Sequence, residues 1–199
     1  TDGNYCVAKV FHTYRFPKDI RQAQLTLSAD TAMLLKCNGE TVARGPVTTG
    51  GDYAQMTAPV QYFTSSVDIS PVGNTLCLEA TVRMMPQRMC ELSKGHGGFF
   101  LSGNVQLSDG SIHTIGTDES WQIQLLTQYQ AYGVYDQRIP QAPVTNAQIT
   151  EDIWFAEPAP IPCCSYNLLL PENHRIPVKA GETISLSIPF DRIYAGYLY

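Results

Sequence analysis

The sequence predicts an all-β fold: an antiparallel, jelly-roll-like β-sandwich with a long Pro-rich surface crossing and little helix. Three observations lead to this prediction. Apolar and polar residues alternate with a period of two in several segments, and two dipeptides typical of hairpin turns separate such segments. No segment keeps a period of 3.6 residues over the length of a helix. We therefore expect strands that each bury one face.

The first alternating segment contains Leu25, Leu27 and Ala29, which predict a strand with one buried face. A strand pair is predicted next, joined at the dipeptide Asn38-Gly39. Both central residues of a type I′ turn need positive φ, which Asn tolerates and Gly adopts freely. This dipeptide therefore predicts a hairpin and sets the register of its two strands.

The same alternation predicts three later strands, which contain Leu76, Leu78, Ala80 and Val82; Leu101, Val105 and Leu107; and Ile184, Leu186 and Ile188, within a final strand over 183–188. Asp109-Gly110 predicts a second hairpin turn, after which the apolar alternation resumes at Ile112. The segment 81–92 comes nearest to a helical pattern, but Pro86 interrupts it. We expect at most a turn or two of helix there.

Between residues 139 and 162 the composition shifts to Pro and Ala. Because Pro has no N–H to donate to a sheet, this segment is expected to follow an extended or edge path along the surface. Ile153-Trp154-Phe155 would anchor the crossing to the sandwich through apolar burial. With the strands on either side of it, we predict a single β-sandwich domain over residues 1–199.

Composition limits the classes of partner. The chain has 199 residues, of which 44% are hydrophobic, so it is long enough to bury a core. A formal net charge of −5 with only 16% charged residues gives neither a basic surface for nucleic acid nor a polybasic membrane patch. No apolar run approaches the roughly 20 residues that span a bilayer. Neutral ligands are favoured, and neither nucleic acid nor a membrane is predicted as a partner.

Six cysteines, at positions 6, 37, 77, 90, 163 and 164, show no C-x-x-C spacing, and zinc is not predicted. Cys37 and Cys77 lie in strand patterns, so we expect both to be small buried side chains. An oxidising compartment would permit disulfides, and the sequence assigns no pairing. The acidic loops are isolated from one another, so no calcium site or other metal site is predicted.

Several short motifs occur in an order that carries a resemblance. They are Ser28-Ala29-Asp30 with Asn38-Gly39-Glu40 and Val42–Pro46, then Asp68–Leu76, Gly97–Gly103 and Thr117–Trp121. This series resembles the N-terminal, galactose-binding-like β-sandwich region of bacterial α-L-rhamnosidase-like glycoside hydrolases. Asp191–Tyr197 is similar to the strand that leads into the next domain of such enzymes.

The resemblance implies a large helical (α/α)-barrel catalytic domain that carries the acidic residues farther along the parent polypeptide. This chain is then expected to be an excised N-terminal or accessory module, with 189–199 as the start of the strand to the next domain. Its predicted partner is the catalytic domain of the same parent chain. The chain itself is expected to be no enzyme and to need no cofactor. A periplasmic or extracellular location in a bacterium is expected.

We predict no catalytic residue. A glycosidase needs two carboxylates across a cleft, and the candidates are Asp109, Asp118, Glu119 and Asp136. Asp109 is explained by its turn, and Asp118 and Glu119 precede Ser120-Trp121 where Asp caps backbone amides. The histidines at 12, 96, 113 and 174 are possible bases, but the sequence has no G-x-S-x-G nucleophile elbow whose serine they could activate. The loop 95–98 lacks the Lys and Ser/Thr of a phosphate-binding loop.

The segment 129–138 interleaves Tyr with Gln, Asp and Arg in a predicted loop. Sandwich modules bind saccharides by stacking a sugar ring on an exposed aromatic side chain while polar groups bind its hydroxyls. Tyr132, Tyr135, Asp136 and Arg138 are therefore predicted to contact carbohydrate or, alternatively, the neighbouring domain, with an internal Asp–Arg salt bridge. Trp121 is expected in the core.

Two alternatives to the accessory module are compatible with the sequence. A free-standing carbohydrate-binding module would recognise glycans without any enzyme attached. A hydrolase in its own right would turn over an aryl rhamnoside, which we do not expect.

Overall fold

The computed structural model describes residues 5–30, 32–45, 62–84, 97–130, 134–150, 156–158, 177 and 179–183. These residues form two β-sheets and contain no helix, so the all-β prediction is confirmed. The strands of the described ranges, in chain order, are β1 (Cys6–Arg15), β2 (Ile20–Asp30), β3 (Ala32–Cys37), β4 (Glu40–Gly45), β5 (Tyr62–Ile69), β6 (Thr75–Met84), β7 (Gly98–Leu107), β8 (Ile112–Gly116), β9 (Gln122–Leu125), β10 (Thr145–Asn146) and β11 (Ala156–Pro158).

One sheet has six strands in the order β10-β9-β1-β6-β3-β4, and the other has five in the order β11-β5-β2-β7-β8. The chain changes sheet repeatedly: β1 lies in the first sheet, β2 in the second, and β3 and β4 in the first again. Pairing is antiparallel except between β11 and β5. Repeated crossing between two antiparallel sheets is the jelly-roll-like arrangement that the sequence predicted.

The core lies between the sheets, and residues from both belong to one buried cluster. Leu25 and Leu27 of β2, Leu78 of β6 and Leu101 of β7 are almost completely buried, as the period-two alternation predicted. Burying a leucine side chain contributes about 1.5–3 kcal/mol. The alternation of β2 is interrupted at its start by a register shift between Ile20 and Gln22.

The turns confirm both hairpin predictions. Asn38 and Gly39, with φ of 50° and 88°, join β3 to β4. The β7–β8 hairpin contains Asp109 and Gly110, and Gly110 has a φ of 87°. Because L side chains rarely adopt positive φ, these are the positions where Asn and Gly are required by the backbone.

Two short parts of the Pro-rich crossing lie at sheet edges. β10 is the outermost strand of the six-stranded sheet, and β11 is the outermost strand of the five-stranded sheet. Both are short, with two and three residues. A Pro-rich segment is tolerated at an edge because a missing N–H costs no ladder hydrogen bond there.

Two expectations about individual residues need correction. The prediction that Cys77 is buried is wrong: Leu76 and Leu78 face the core, so Cys77 between them faces outward and is exposed. Cys37 is buried, as predicted. Ile112 is exposed at the start of β8, where the core-facing position is Ile115. Of the segment 81–92, for which at most a turn or two of helix was expected, the described residues 81–84 belong to strand β6.

Several predictions fall on residues outside the described ranges. They concern Pro86 and the rest of 85–92, the loop 95–96, Tyr132, Ile153-Trp154-Phe155, Cys90, Cys163, Cys164, His174, the strand residues 184–188 and the segment 189–199. Thr183 is described and lies outside any strand.

The chain divides into two compact units, Thr1–Tyr166 and Asn167–Tyr199. All eleven described strands lie in the first unit. In the second, Lys179 and Glu182 close a turn, in which the Glu182 side chain accepts a hydrogen bond from the Lys179 N–H at 3.0 Å. The interpretation of residues 1–199 as one domain stays a prediction.

Candidate functional site

Trp121 is fully buried between β8 and β9, which confirms its predicted place in the core. Its indole Nε1–H donates to the carbonyl oxygen of Gly116 at 2.9 Å and lies 3.1 Å from the Tyr14 hydroxyl. Its own carbonyl accepts from the Ala147 N–H at 2.8 Å. Buried polar groups on an aromatic ring need such partners, and here the hydrogen bonds fix the position of the indole.

An aromatic cluster surrounds this indole. The rings of Phe99 and His12 lie 5.8 and 5.6 Å from it, measured between centroids. Tyr14 packs on His12 from 4.4 Å, and Phe16 lies against His113 at 5.5 Å. The two histidines are therefore packed among aromatic rings, and Nδ1 of His12 lies 3.2 Å from the carbonyl oxygen of Ser120. They occupy structural positions.

The acidic candidates serve local turns. Asp109 Oδ1 accepts hydrogen bonds from the Ser111 N–H at 3.0 Å and from its hydroxyl at 2.6 Å. Asp118 Oδ1 accepts from the Ser120 N–H at 2.8 Å and from the Ser120 hydroxyl. In both cases the pKa of the carboxyl is lowered mainly by the hydrogen bond from the serine hydroxyl, and the serine N–H lowers it further. The turn roles predicted for Asp109 and Asp118 are confirmed, and Glu119 is exposed beside the second turn.

The loop after β9 forms what we call the tyrosine platform, made of Gln128, Tyr129, Tyr135, Asp136 and Arg138. A backbone bridge pairs Tyr129 with Tyr135, and their ring centroids lie 4.9 Å apart at an angle of 49°. Both rings remain about half exposed. The loop thus presents two adjacent aromatic rings to solvent.

The polar part of the platform is held by an ion pair. Arg138 donates from Nε to Asp136 Oδ1 at 2.9 Å and from Nη2 to Oδ2 at 2.8 Å. The pKa of the Asp136 carboxyl is lowered mainly by the Arg138 guanidinium, and the backbone N–H of Arg138 lowers it further. Tyr135 donates its hydroxyl to Gln128 Oε1 at 3.4 Å. The salt bridge predicted between Asp136 and Arg138 is confirmed as a bidentate pair.

A cavity, which we call the Trp121 cavity, lies at the other end of β9 and has a volume of about 530 Å³. Its apolar lining includes Phe99, Phe100 and Trp121, and its polar lining includes Thr117 and Asp118. The segment 147–150, which follows β10, completes the wall. This cavity combines aromatic rings with a carboxylate and a hydroxyl, the composition of a small-molecule site.

Within the described part of the chain, no group of three or more His, Cys, Asp or Glu side chains is placed to hold a metal ion. The same residues include no helix that is long and apolar enough to cross a membrane.

Solved structures similar to this chain include a lectin from Pleurotus ostreatus in complex with GalNAc and α-L-rhamnosidases from Dictyoglumus thermophilum and Aspergillus terreus. Sequence identities are 16%, 16% and 14%, and TM-scores are 0.47, 0.46 and 0.46. The matches cover 71%, 73% and 76% of this chain, which spans 38%, 18% and 20% of those chains. No protein-family model matches the chain. No curated protein gives a significant match.

Of the predicted site residues, the structure brings Tyr135, Asp136 and Arg138 together on one loop, and Tyr132 lies outside the described ranges. The prediction did not single out Tyr129, the ring partner of Tyr135. Their separation by six residues around Gly133 was the available signal of a tight loop that returns on itself.

Proposed function

We propose that this chain is a non-catalytic, carbohydrate-binding accessory module of a rhamnosidase-like glycoside hydrolase. The observation that carries the proposal is the tyrosine platform, in which two exposed rings lie beside an ion pair and an amide. The order of sequence motifs supports the association with a glycoside hydrolase. In this proposal the acids that cleave the glycosidic bond belong to the catalytic domain of the parent chain.

The chemistry of the platform suits a neutral saccharide. One face of a pyranose ring carries mostly C–H groups, which pack against an aromatic ring such as Tyr129 or Tyr135. The rim of the sugar carries hydroxyls, which can donate to the Asp136 carboxylate and accept from the Arg138 guanidinium. Because this pair already orders both side chains, binding a hydroxyl costs little further side-chain entropy.

The platform is shallow, since its rings are half exposed and inclined to each other by 49°. A shallow surface excludes little water, so we expect a weak dissociation constant, between about 10 μM and about 1 mM. Such an affinity suits a module that holds an enzyme near a polymeric glycan, where several contacts add up.

A second candidate role is contact with the neighbouring domain, which the module would brace. Val134 and Leu125 favour it, because both are large apolar side chains exposed on or next to the same loop. Exposed apolar groups close together are typical of surfaces that pack against another domain. In that case the platform would be covered in the intact enzyme and would bind no glycan in the isolated chain.

A glycan array probed with the 199-residue chain tests the proposal, followed by calorimetry on the best glycan. We expect Tyr129→Ala and Tyr135→Ala each to weaken binding about tenfold, the loss that follows from removing one stacking ring. Ile112→Ala removes an exposed apolar side chain outside the platform and serves as the matched control. Tyr135→Phe keeps the ring and is expected to retain most of the affinity.

The outcomes separate the competing functions. Equal glycan binding by Tyr135→Ala and the unaltered chain would refute the proposal that the tyrosine platform binds glycan. If no glycan on the array is bound and the platform is shielded from solvent in the parent enzyme, the inter-domain role is favoured. Specific glycan binding by a chain whose parent gene encodes no catalytic domain would identify a free-standing binding module. Release of an aryl group from an aryl rhamnoside would identify a hydrolase instead.

A further inference from the structure

We propose that the Trp121 cavity is a second saccharide site, which accepts a single neutral pyranose ring. The inference rests on the proposed function for the class of ligand, and it adds a site separate from the tyrosine platform. The two lie at opposite ends of β9, because Trp121 precedes this strand and the platform loop follows it. They can therefore be altered independently.

The cavity has the size and the shape for a small ligand. Its volume of about 530 Å³ falls within the roughly 300–1,000 Å³ of small-molecule sites. Trp121 and Val10 are buried at its floor, whereas Phe100 and Ile149 are exposed at 43% and 66% and mark the way in. A ligand that enters past Phe100 would therefore be partly removed from water.

The aromatic lining favours a ring with an apolar face. Phe99 is only partly buried and lies 5.8 Å from the fully buried Trp121, with an angle of 51° between the ring planes. Phe100 follows Phe99 on β7, and its exposed side chain lies at the edge of the lining. The C–H face of a pyranose can pack against the Phe99 ring while its hydroxyls point toward the polar side.

The polar lining supplies hydrogen-bond partners for hydroxyls. The described hydrogen bonds of Asp118 both reach Oδ1, from the Ser120 N–H and hydroxyl, so Oδ2 keeps its capacity to accept. Since these bonds also lower the pKa of Asp118, its carboxylate is ionised at neutral pH and accepts only. Gln148 adds an amide that both donates and accepts. The negative charge disfavours anionic ligands, and the combination of an aromatic ring with hydrogen-bonding groups fits a neutral polyol.

Both sides of the cavity are anchored to the sandwich. On one side, the Gly97 N–H donates to Oδ2 of the fully buried Asp30 at 3.1 Å. On the other, the Ala147 N–H donates to the Trp121 carbonyl oxygen at 2.8 Å and holds the start of the segment 147–150. A site whose walls are held before the ligand arrives loses less entropy on binding.

The chain offers an internal control for Asp118. Asp109 makes the same pair of hydrogen bonds, to the N–H and hydroxyl of the serine two residues later, but it lies in the β7–β8 turn and not in the cavity lining. Asp118→Asn and Asp109→Asn therefore remove one charge from the same kind of turn. Because Asn keeps Oδ1 as an acceptor, both variants are expected to fold.

The test titrates the 199-residue chain with methyl glycosides of glucose, galactose and rhamnose, followed by NMR at the assigned Trp121 indole N–H. Glucuronate and glucosamine are the anionic and cationic probes. We expect at least one neutral glycoside to shift this resonance. Asp118→Asn and Phe100→Ala should each weaken that binding about tenfold, whereas Asp109→Asn and Tyr135→Ala should change it less than about twofold.

Several results would overturn the cavity site. They are no response of the indole to any neutral glycoside, binding of glucosamine alone, or equal effects of Asp118→Asn and Asp109→Asn. Loss of the indole response in Tyr135→Ala would also overturn it, since the binding would then depend on the platform. Failure of the cavity leaves array binding through Tyr129 and Tyr135 unchanged, so the two proposals fail separately.

Discussion

Tyr14 and Trp121 donate hydrogen bonds to the same acceptor, the carbonyl oxygen of Gly116. The Tyr14 hydroxyl lies 2.7 Å from this oxygen and the indole Nε1 lies 2.9 Å from it. Tyr14 belongs to β1 of the six-stranded sheet, and Gly116 ends β8 of the five-stranded sheet. One carbonyl therefore joins the two layers of the sandwich beside the aromatic cluster.

Removing the two donors should have unequal effects. Tyr14→Phe leaves the indole to satisfy the Gly116 carbonyl, so we expect a loss of about 1 kcal/mol in the free energy of unfolding. Trp121→Phe removes a donor and also leaves a void in the core, and we expect about 2–4 kcal/mol. Urea unfolding of both variants and of the double variant measures the coupling between the side chains. Equal losses for the single variants would contradict this account.

Gly103 permits a close approach between β7 and β2. A Cβ at this position would lie 2.5 Å from the Gln24 carbonyl oxygen and 2.7 Å from a methyl carbon of Leu25. Gly103→Ala must therefore push the paired backbones apart, and we expect a loss of about 1–3 kcal/mol. Gly116→Ala is the control, because its Cβ would meet the Leu101 carbonyl oxygen at an ordinary 3.4 Å. A larger loss of thermal stability in Gly116→Ala than in Gly103→Ala would refute the close approach of the two strands at Gly103.

The strands could be predicted from the sequence because the alternation that defines them is local. Leu25, Leu27 and Leu101 are buried as their period-two pattern required, and Asn38-Gly39 turns as its φ preferences required. Cys77 was misassigned because its residue type favours burial, whereas its position between two core leucines determines its side of the sheet. The register of a strand decides which face of the sheet a side chain occupies, whereas residue type only biases it.

The candidate sites were harder to predict, because they depend on contacts between distant segments. Asp136 and Arg138 are two residues apart, so their ion pair could be predicted from the sequence. The Trp121 cavity instead unites β7, the β8–β9 connection and the segment 147–150. No local pattern links these segments, and only the order of strands in the two sheets brings them together.

Cys37 should make the protein less stable at alkaline pH. Burial raises the pKa of its thiol from 9.0 to about 11 in the folded state. Its stabilising contribution is therefore complete below pH 9.0 and is lost between pH 9.0 and about 11, as the unfolded chain releases its proton first. Cys37→Val should show a weaker decline of unfolding free energy over this range in urea titrations. A pH profile of Cys37→Val identical to that of the unaltered chain would contradict the expectation.

Asn38 attaches the β3–β4 turn to β6 as well as adopting the positive φ. Its Oδ1 accepts from the Cys77 N–H at 2.8 Å, and its Nδ2 donates to the Thr75 carbonyl oxygen at 3.1 Å. Asn38→Gly removes both hydrogen bonds but tolerates the φ of 50°, so we expect a loss of about 1–2 kcal/mol.

Asn38→Ala removes the same bonds and also places a Cβ in the left-handed region, which costs about 1 kcal/mol more. The expected order of stability is therefore Asn, then Gly, then Ala, measured by urea unfolding of the three proteins. If Asn38→Ala were as stable as Asn38→Gly, the positive φ would carry no cost at this turn. If Asn38→Gly matched the unaltered chain, the two hydrogen bonds to β6 would contribute nothing, and the register of the hairpin would depend on backbone conformation alone.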